Sequence, residues 1–223
     1  MPSPLLRLER GRDGVVVLTL DDPDRRNAMT AELTAAWSAA IAELAGDRSV
    51  RAVVVTGSGR AFCAGGDLGW IAESPELDVD AIRTRMLPFY RAWLAIRDLE
   101  VPTIAAVNGP AIGAGLCLAL ACDLRYLATG ATLSAPFVSL GMHAGMAATW
   151  LLPEAVGLPL ARELLLTGRR VDAAEAVRIG LVNGVHEPGE LLEGALAVAR
   201  QIAANAPVAV RLTTAGLDRK SVV

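Results

Sequence analysis

Aromatic side chains make up only 4% of this 223-residue chain, histidine occurs twice and cysteine three times. Two histidines and three cysteines without CxxC spacing do not assemble the imidazole and thiolate set of a structural zinc site, so no metal is expected. An odd cysteine count also argues against a closed disulfide framework and points to a reducing compartment. Runs of one charge sign are missing as well. The 21 basic and 24 acidic residues leave a net charge of −3 with no block of either sign, which excludes a nucleic-acid footprint and a polybasic membrane patch. The expected partner is a small molecule, with no nucleic acid and no membrane. The start of the chain, "MPSPLLRLERGRDG", reaches charged residues before a secretory apolar region could form, so a cytoplasmic protein is expected.

What the chain has is apolar bulk: 53% of its residues are hydrophobic, enough to bury the core of one substantial domain. From Ile104 to Cys122 runs a stretch of 19 uncharged residues, close to the length of a membrane span. Asn108-Gly109-Pro110 interrupts it with a turn signal, and Pro110 would break a helix at that point. The stretch therefore predicts a buried strand over Thr103–Val107, a loop, and a buried helix over Gly113–Ala121.

Elsewhere, Leu5–Glu9 and Val15–Leu20 read as strands joined by the hairpin-type connection Gly11-Arg12-Asp13-Gly14. "DDPDRRNAM" is a polar loop. Thr30 caps a helix whose apolar positions Leu33, Trp37, Ile41 and Leu44 share a face. A strand over Ala52–Thr56 follows. The segment from Asp67 to Asp98 reads as helical, stopped or kinked at Pro75 and Pro88. Beyond Asp123, Asp172, Glu175 and Gly180 mark a capped helix, followed by a strand over Leu181–Val185. Leu191, Ala195, Val198 and Ile202 mark a last full helix. Strands each followed by a helix give the class α/β.

Two stretches offer mainly backbone: "AFCAGGD" (Ala61–Asp67) and "NGPAIGAGLCLALACD" (Asn108–Asp123). A strand, a glycine-rich loop and a helix in succession expose N–H groups at the helix start, suited to something negative. Neither stretch carries GxxxxGK or the full dinucleotide fingerprint. Two readings stand: tight turns needed for packing, or paired N–H donors converging on one oxygen.

"GSGRAFCAGGDL", then "VPTIAAVNGPAIGAGLCLALACDLRYLA", then "LPLARELLLTGRRVDAAEAVRIGLVNGV" together resemble the crotonase superfamily, the enoyl-CoA hydratase/isomerase family, in the family's order along the chain. The resemblance implies a crotonase-like spiral of ββα units over 1–196, with 197–223 opening a helical C-terminal region shortened relative to the family. It implies a homotrimer or dimer of trimers. It also implies an acyl-CoA thioester substrate with no separate cofactor, coenzyme A entering as part of that substrate. The Gly66 and Ala114 N–H groups become the two donors to the thioester carbonyl. Arg25, Arg26 and Ala28 would lie along the coenzyme, and Ala64, Gly65, Asp67, Leu68, Cys117 and Phe137 would border the substrate. Asp67 also suits the cap of the helix after it.

The family's two catalytic glutamates fall by this match at Cys117 and Phe137. A buried thiol with an ordinary pKa of about 8.5 is a poor proton carrier at neutral pH, and phenylalanine carries none. Three readings remain: an enzyme that moves protons with another group, a non-catalytic acyl-CoA binder, and a membrane or scaffold protein disfavoured by Asn108-Gly109-Pro110. For the first, His143 is the leading acid/base, with Tyr90, Glu73 and Glu154 behind it and Cys117 as a possible nucleophile.

Overall fold

The computed structural model describes residues 5–67, 69 and 78–218. Its strands are β1 (Leu6–Arg10), β2 (Val15–Leu20), β3 (Ala52–Gly57), β4 (Thr103–Val107), β5 (Ala111–Ile112), β6 (Leu124–Ala128), β7 (Leu133–Ser134), β8 (Arg170–Val171) and β9 (Gly184–His186). The large sheet has the order β1-β2-β3-β4-β6-β9, and a small one has the order β5-β7-β8. β1 and β2 form the expected antiparallel hairpin, with Leu6 opposite Leu20. From β2 to β9 every neighbouring pair in the large sheet is parallel. β3 and β4, flanked on both sides, read as unbroken apolar runs because each of their faces is covered.

The chain alternates between the two sheets. After β3 in the large sheet, Cys63 forms a parallel bridge to Ala111 of β5. β4 then runs in the large sheet and β5 in the small one, and a helix follows; β6 and β7 repeat the same step. This is the ββα spiral that the resemblance implies.

Helix α1 (Ala31–Ala45) starts where Thr30 Oγ1 accepts the Leu33 N–H at 3.2 Å, and it buries Leu33, Trp37, Ile41 and Leu44 as the spacing predicts. α2 (Val79–Leu94) opens at Asp78, whose carboxylate accepts the Ala81 N–H at 2.8 Å. Of the two outcomes expected at Pro88, a stop or a kink, the stop does not occur, because α2 runs through it. Thr84, whose carbonyl loses its usual donor, is exposed along with Pro88, so water can replace that bond. Pro75 lies outside the described residues. Trp37 of α1 stacks on Trp93 of α2 with ring centroids 5.0 Å apart, and the two indole N–H groups donate to Ala92 O and Thr34 Oγ1.

α3 (Ala114–Ala121) is buried along its whole length, as a helix apolar on every side must be. Among the described residues no helix is long and apolar enough to cross a membrane. α4 (Ala148–Val156), α5 (Leu158–Thr167), α6 (Ala173–Arg178), α7 (Leu191–Ala203) and α8 (Pro207–Asp218) complete the fold. Asp172 caps α6 by accepting the Glu175 N–H at 2.8 Å.

Three sequence expectations need correction here. The strand predicted from Leu181 begins only at Gly184, because the Leu181 and Val182 N–H groups both donate to Ala176 O and close α6 instead of joining a ladder. α7 buries Leu191, Ala195, Ala199 and Ala203, while Val198 and Ile202 flank that face half-buried. α8 follows α7 as a further full helix, so α7 is not the last.

Candidate active site

The first glycine-rich loop is held from below by two asparagines. Asn27, fully buried and with φ of 56°, donates from Nδ2 to Ser58 O at 3.0 Å, Ala61 O at 2.8 Å and Phe62 O at 3.2 Å. Its Oδ1 accepts the Asp22 N–H at 2.9 Å. Asn108 accepts the Gly57 N–H at 3.0 Å and donates to Gly59 O at 3.2 Å. The sequence marked Asn108 only as part of a turn signal, and it gave neither residue the task of bracing this loop. The available signal was residue type: asparagine tolerates the left-handed conformation and offers a donor and an acceptor together.

The second loop docks onto the first. Ile112 N–H donates to Cys63 O at 3.0 Å, and a Cβ added at Gly115 would come within 2.2 Å of that same oxygen. Glycine at 115 is what lets α3 approach this closely. Gly65, with φ of 96°, lies where a Cβ would stand 2.6 Å from Ile112 O and 3.4 Å from Ala114 N. Both glycine-rich stretches therefore meet at one point. Ala114 is the first residue of α3, where N–H groups have no intrahelical acceptor. Among the described residues, neither the Gly66 nor the Ala114 N–H has a hydrogen-bond acceptor.

Gly66 and Ala114 border a cavity of about 560 Å³. α2 supplies one wall through Ile82, Met86, Phe89 and Tyr90, and the segment after β7 supplies another through Phe137, Leu140, Met142 and His143. Arg83 and Arg85 stand in the α2 wall, and no carboxylate lines the cavity among the described residues. Such a site can enclose an apolar group and offer hydrogen bonds to an oxygen, but among the described residues it has no carboxylate to move a proton. Among the described residues no three His, Cys, Asp or Glu side chains cluster as metal ligands.

Of the residues singled out in the sequence, Ala64, Gly65, Gly66, Ala114, Phe137, His143 and Tyr90 line the cavity. Cys117 does not. Its side chain is buried behind the wall with Sγ 3.9 Å from Gly145 O, and burial pushes the thiol up to about 12. Glu154 is exposed on α4 away from the cavity, and Glu73 and Leu68 lie outside the described residues. Arg25, Arg26, Ala28 and Asp67 also stand outside the lining. Arg25 Nε pairs with Asp22 at 3.2 Å, and the exposed Arg26 contributes its backbone, its carbonyl accepting the Ala64 N–H at 3.0 Å. Asp67 Oδ1 accepts the Gly69 N–H at 2.9 Å.

Residues 10–222 match the family model for enoyl-CoA hydratase/isomerase. The probable enoyl-CoA hydratase EchA14 of Mycobacterium tuberculosis is 44% identical over 204 residues, which is 89% of this chain and 78% of that protein. A putative enoyl-CoA hydratase of Thermus thermophilus is 42% identical over 94% of this chain and 81% of its own length. Among solved structures, an enoyl-CoA hydratase from Bacillus anthracis superposes with a TM-score of 0.90 at 32% identity, over 96% of this chain and 83% of that one. A monofunctional enoyl-CoA isomerase from M. smegmatis gives 0.80 at 38% identity, over 98% and 96%. With the family model spanning nearly the whole chain and the ββα spiral shared with solved relatives, this chain belongs to the enoyl-CoA hydratase/isomerase family of the crotonase superfamily.

Proposed function

We propose that the protein is an acyl-CoA thioester enzyme that holds the thioester carbonyl oxygen between the N–H groups of Gly66 and Ala114. There it stabilises an enolate, without the two-carboxylate route of hydration. The observation that carries this reading is the pair of N–H groups without acceptors among the described residues, set on either side of Gly65 at the wall of an apolar cavity. Enolate formation places negative charge on the former carbonyl oxygen, and two fixed donors at the start of α3, aided by the helix dipole, favour that charge over the neutral ground state. The names of the relatives, hydratases and isomerases of enoyl-CoA, support a coenzyme A thioester as the substrate. Coenzyme A enters as part of that substrate, with no separate cofactor or metal. Arg25 and Arg26 remain candidates for the coenzyme phosphates, their exposed side chains standing outside the cavity on a loop tied to Ala64. A cytoplasmic homotrimer or dimer of trimers is the assembly and setting that go with this reading.

A second reading, a non-catalytic acyl-CoA binder, is favoured by Cys117 and Phe137 and by the absence of a carboxylate from the cavity lining among the described residues. Calorimetric titration with butyryl-CoA and octanoyl-CoA tests what the two readings share, and one site per chain is expected. Folded protein that takes up neither ligand would remove both. Crotonyl-CoA should not be hydrated at an enzymatic rate, on the order of 10 s⁻¹. Hydration at such a rate would overturn the non-carboxylate route.

A further inference from the structure

Resting on the acyl-CoA reading above, the geometry points to Tyr90 as the catalytic acid that delivers a proton to the α-carbon of a thioester enolate held at Gly66 and Ala114.

The position left without a carboxylate at Cys117 is not empty of polar groups. Tyr90 lines the same cavity as Gly66 and Ala114 and reaches the ground in front of Cys117. Gly145 fixes this. Its carbonyl oxygen lies 3.9 Å from Cys117 Sγ, and a Cβ added to it would stand 2.1 Å from the Tyr90 hydroxyl oxygen. The hydroxyl is thus packed against the backbone that covers the thiol. Among the described residues it has no hydrogen-bond partner, although the ring is half-buried and touches Phe89. Tyr90 lines the cavity. A phenol held against the backbone, with its O–H unspent and facing an apolar chamber, is suited to act on a bound ligand.

The chemistry balances with water as the one co-reactant, which is left as hydroxide. The enolate electron pair takes the phenol proton, so the O–H bond breaks as a C–H bond forms at the α-carbon. The thioester carbonyl is restored, and the phenolate regains a proton from water. Burial, and next the neighbouring Cys117, push the phenol above its ordinary range, so it is a protonated donor at neutral pH. Among the described residues, the titratable and charged groups around this part of the cavity are Cys117 from α3, His143 from the segment before α4, and Arg83 and Arg85 from α2.

The test is exchange of the α-hydrogens of octanoyl-CoA in heavy water, the reverse of the proposed step, followed by mass spectrometry with calorimetric affinity measured in parallel. Wild type should exchange saturably, with a rate that climbs through neutral pH and does not level near the imidazole value of about 6.5. Tyr90→Phe, which keeps the ring, should lose exchange by about 10² or more while its affinity changes by less than about threefold. Gly145→Ala, whose new Cβ displaces the hydroxyl, should reproduce that loss and add little in the Tyr90→Phe background. It also keeps the test open should Tyr90→Phe fail to fold. Full exchange in either variant, or a profile that levels near the imidazole value, would overturn the proposal. So would binding by wild type without exchange. Absence of binding would instead remove the acyl-CoA reading beneath it.

Discussion

At Cys117, the position that the family resemblance matches to a catalytic glutamate, the chain carries a buried thiol that is not at the cavity wall. The identity of the residue was legible in the sequence; its direction was not. α3 is apolar on every side and carries no stripe to say which face meets the cavity and which meets the core. Burial pushes Cys63, Cys117 and Cys122 up to about 12, above the unfolded value of about 8.5. Groups raised in this way contribute stability that is complete below the unfolded value and is lost as pH rises through the folded one. The midpoint of urea unfolding should therefore hold steady to about pH 8.5 and fall above it. Cys117→Ala should make that fall shallower. A maleimide should label the native thiols far more slowly than the unfolded ones. Fast labelling of Cys117 in the native state, or a midpoint indifferent to alkali, would contradict this burial.

Among the elements, the caps at Thr30 and Asp172 were legible because capping is local, needing only a hydroxyl or carboxylate and an N–H three residues on. The passage of α2 through Pro88 and the loss of Leu181–Asn183 from the last strand were not. Each depends on surroundings outside its own segment, exposure in one case and Ala176 O in the other. The loop that carries Gly66 is likewise fixed from a distance, through Asn27. Removing that amide strands the buried Phe62 carbonyl and leaves Ala61 O only the long 3.4 Å bond from Asn108 Nδ2, so Asn27→Ala should cost about 1–3 kcal/mol in denaturant unfolding and weaken acyl-CoA binding. Asn27→Asp should cost more, because it turns a carboxylate oxygen toward those carbonyls. An Asn27→Ala protein within about 0.5 kcal/mol of wild type would show that the loop is held by other contacts.

On the scale of the whole molecule, the spiral is what makes two distant loops into one site. The parallel β3–β4 pair and the Cys63–Ala111 bridge bring residue 66 beside residue 114, with Gly65 lying against the Ala114 N–H. Residue types alone left those loops open between packing turns and paired donors, and it was their order along the chain, matched to a family, that favoured the donors. The most direct measurement is the carbonyl stretching frequency of an isotope-labelled acyl-CoA thioester bound to wild type and to Ala114→Pro. Proline is tolerated at the first position of a helix, where the N–H has no intrahelical acceptor, and the glycine before it, with φ of 55°, is free of side-chain conflict. The variant should fold and bind, with affinity weaker by about 0.5–1.5 kcal/mol for one neutral hydrogen bond. The carbonyl band, shifted to low frequency in wild type, should move part of the way back, and exchange or turnover should fall by about 10² to 10³. A folded, ligand-bound Ala114→Pro protein with an unmoved carbonyl band would contradict the assignment of Ala114 as a donor.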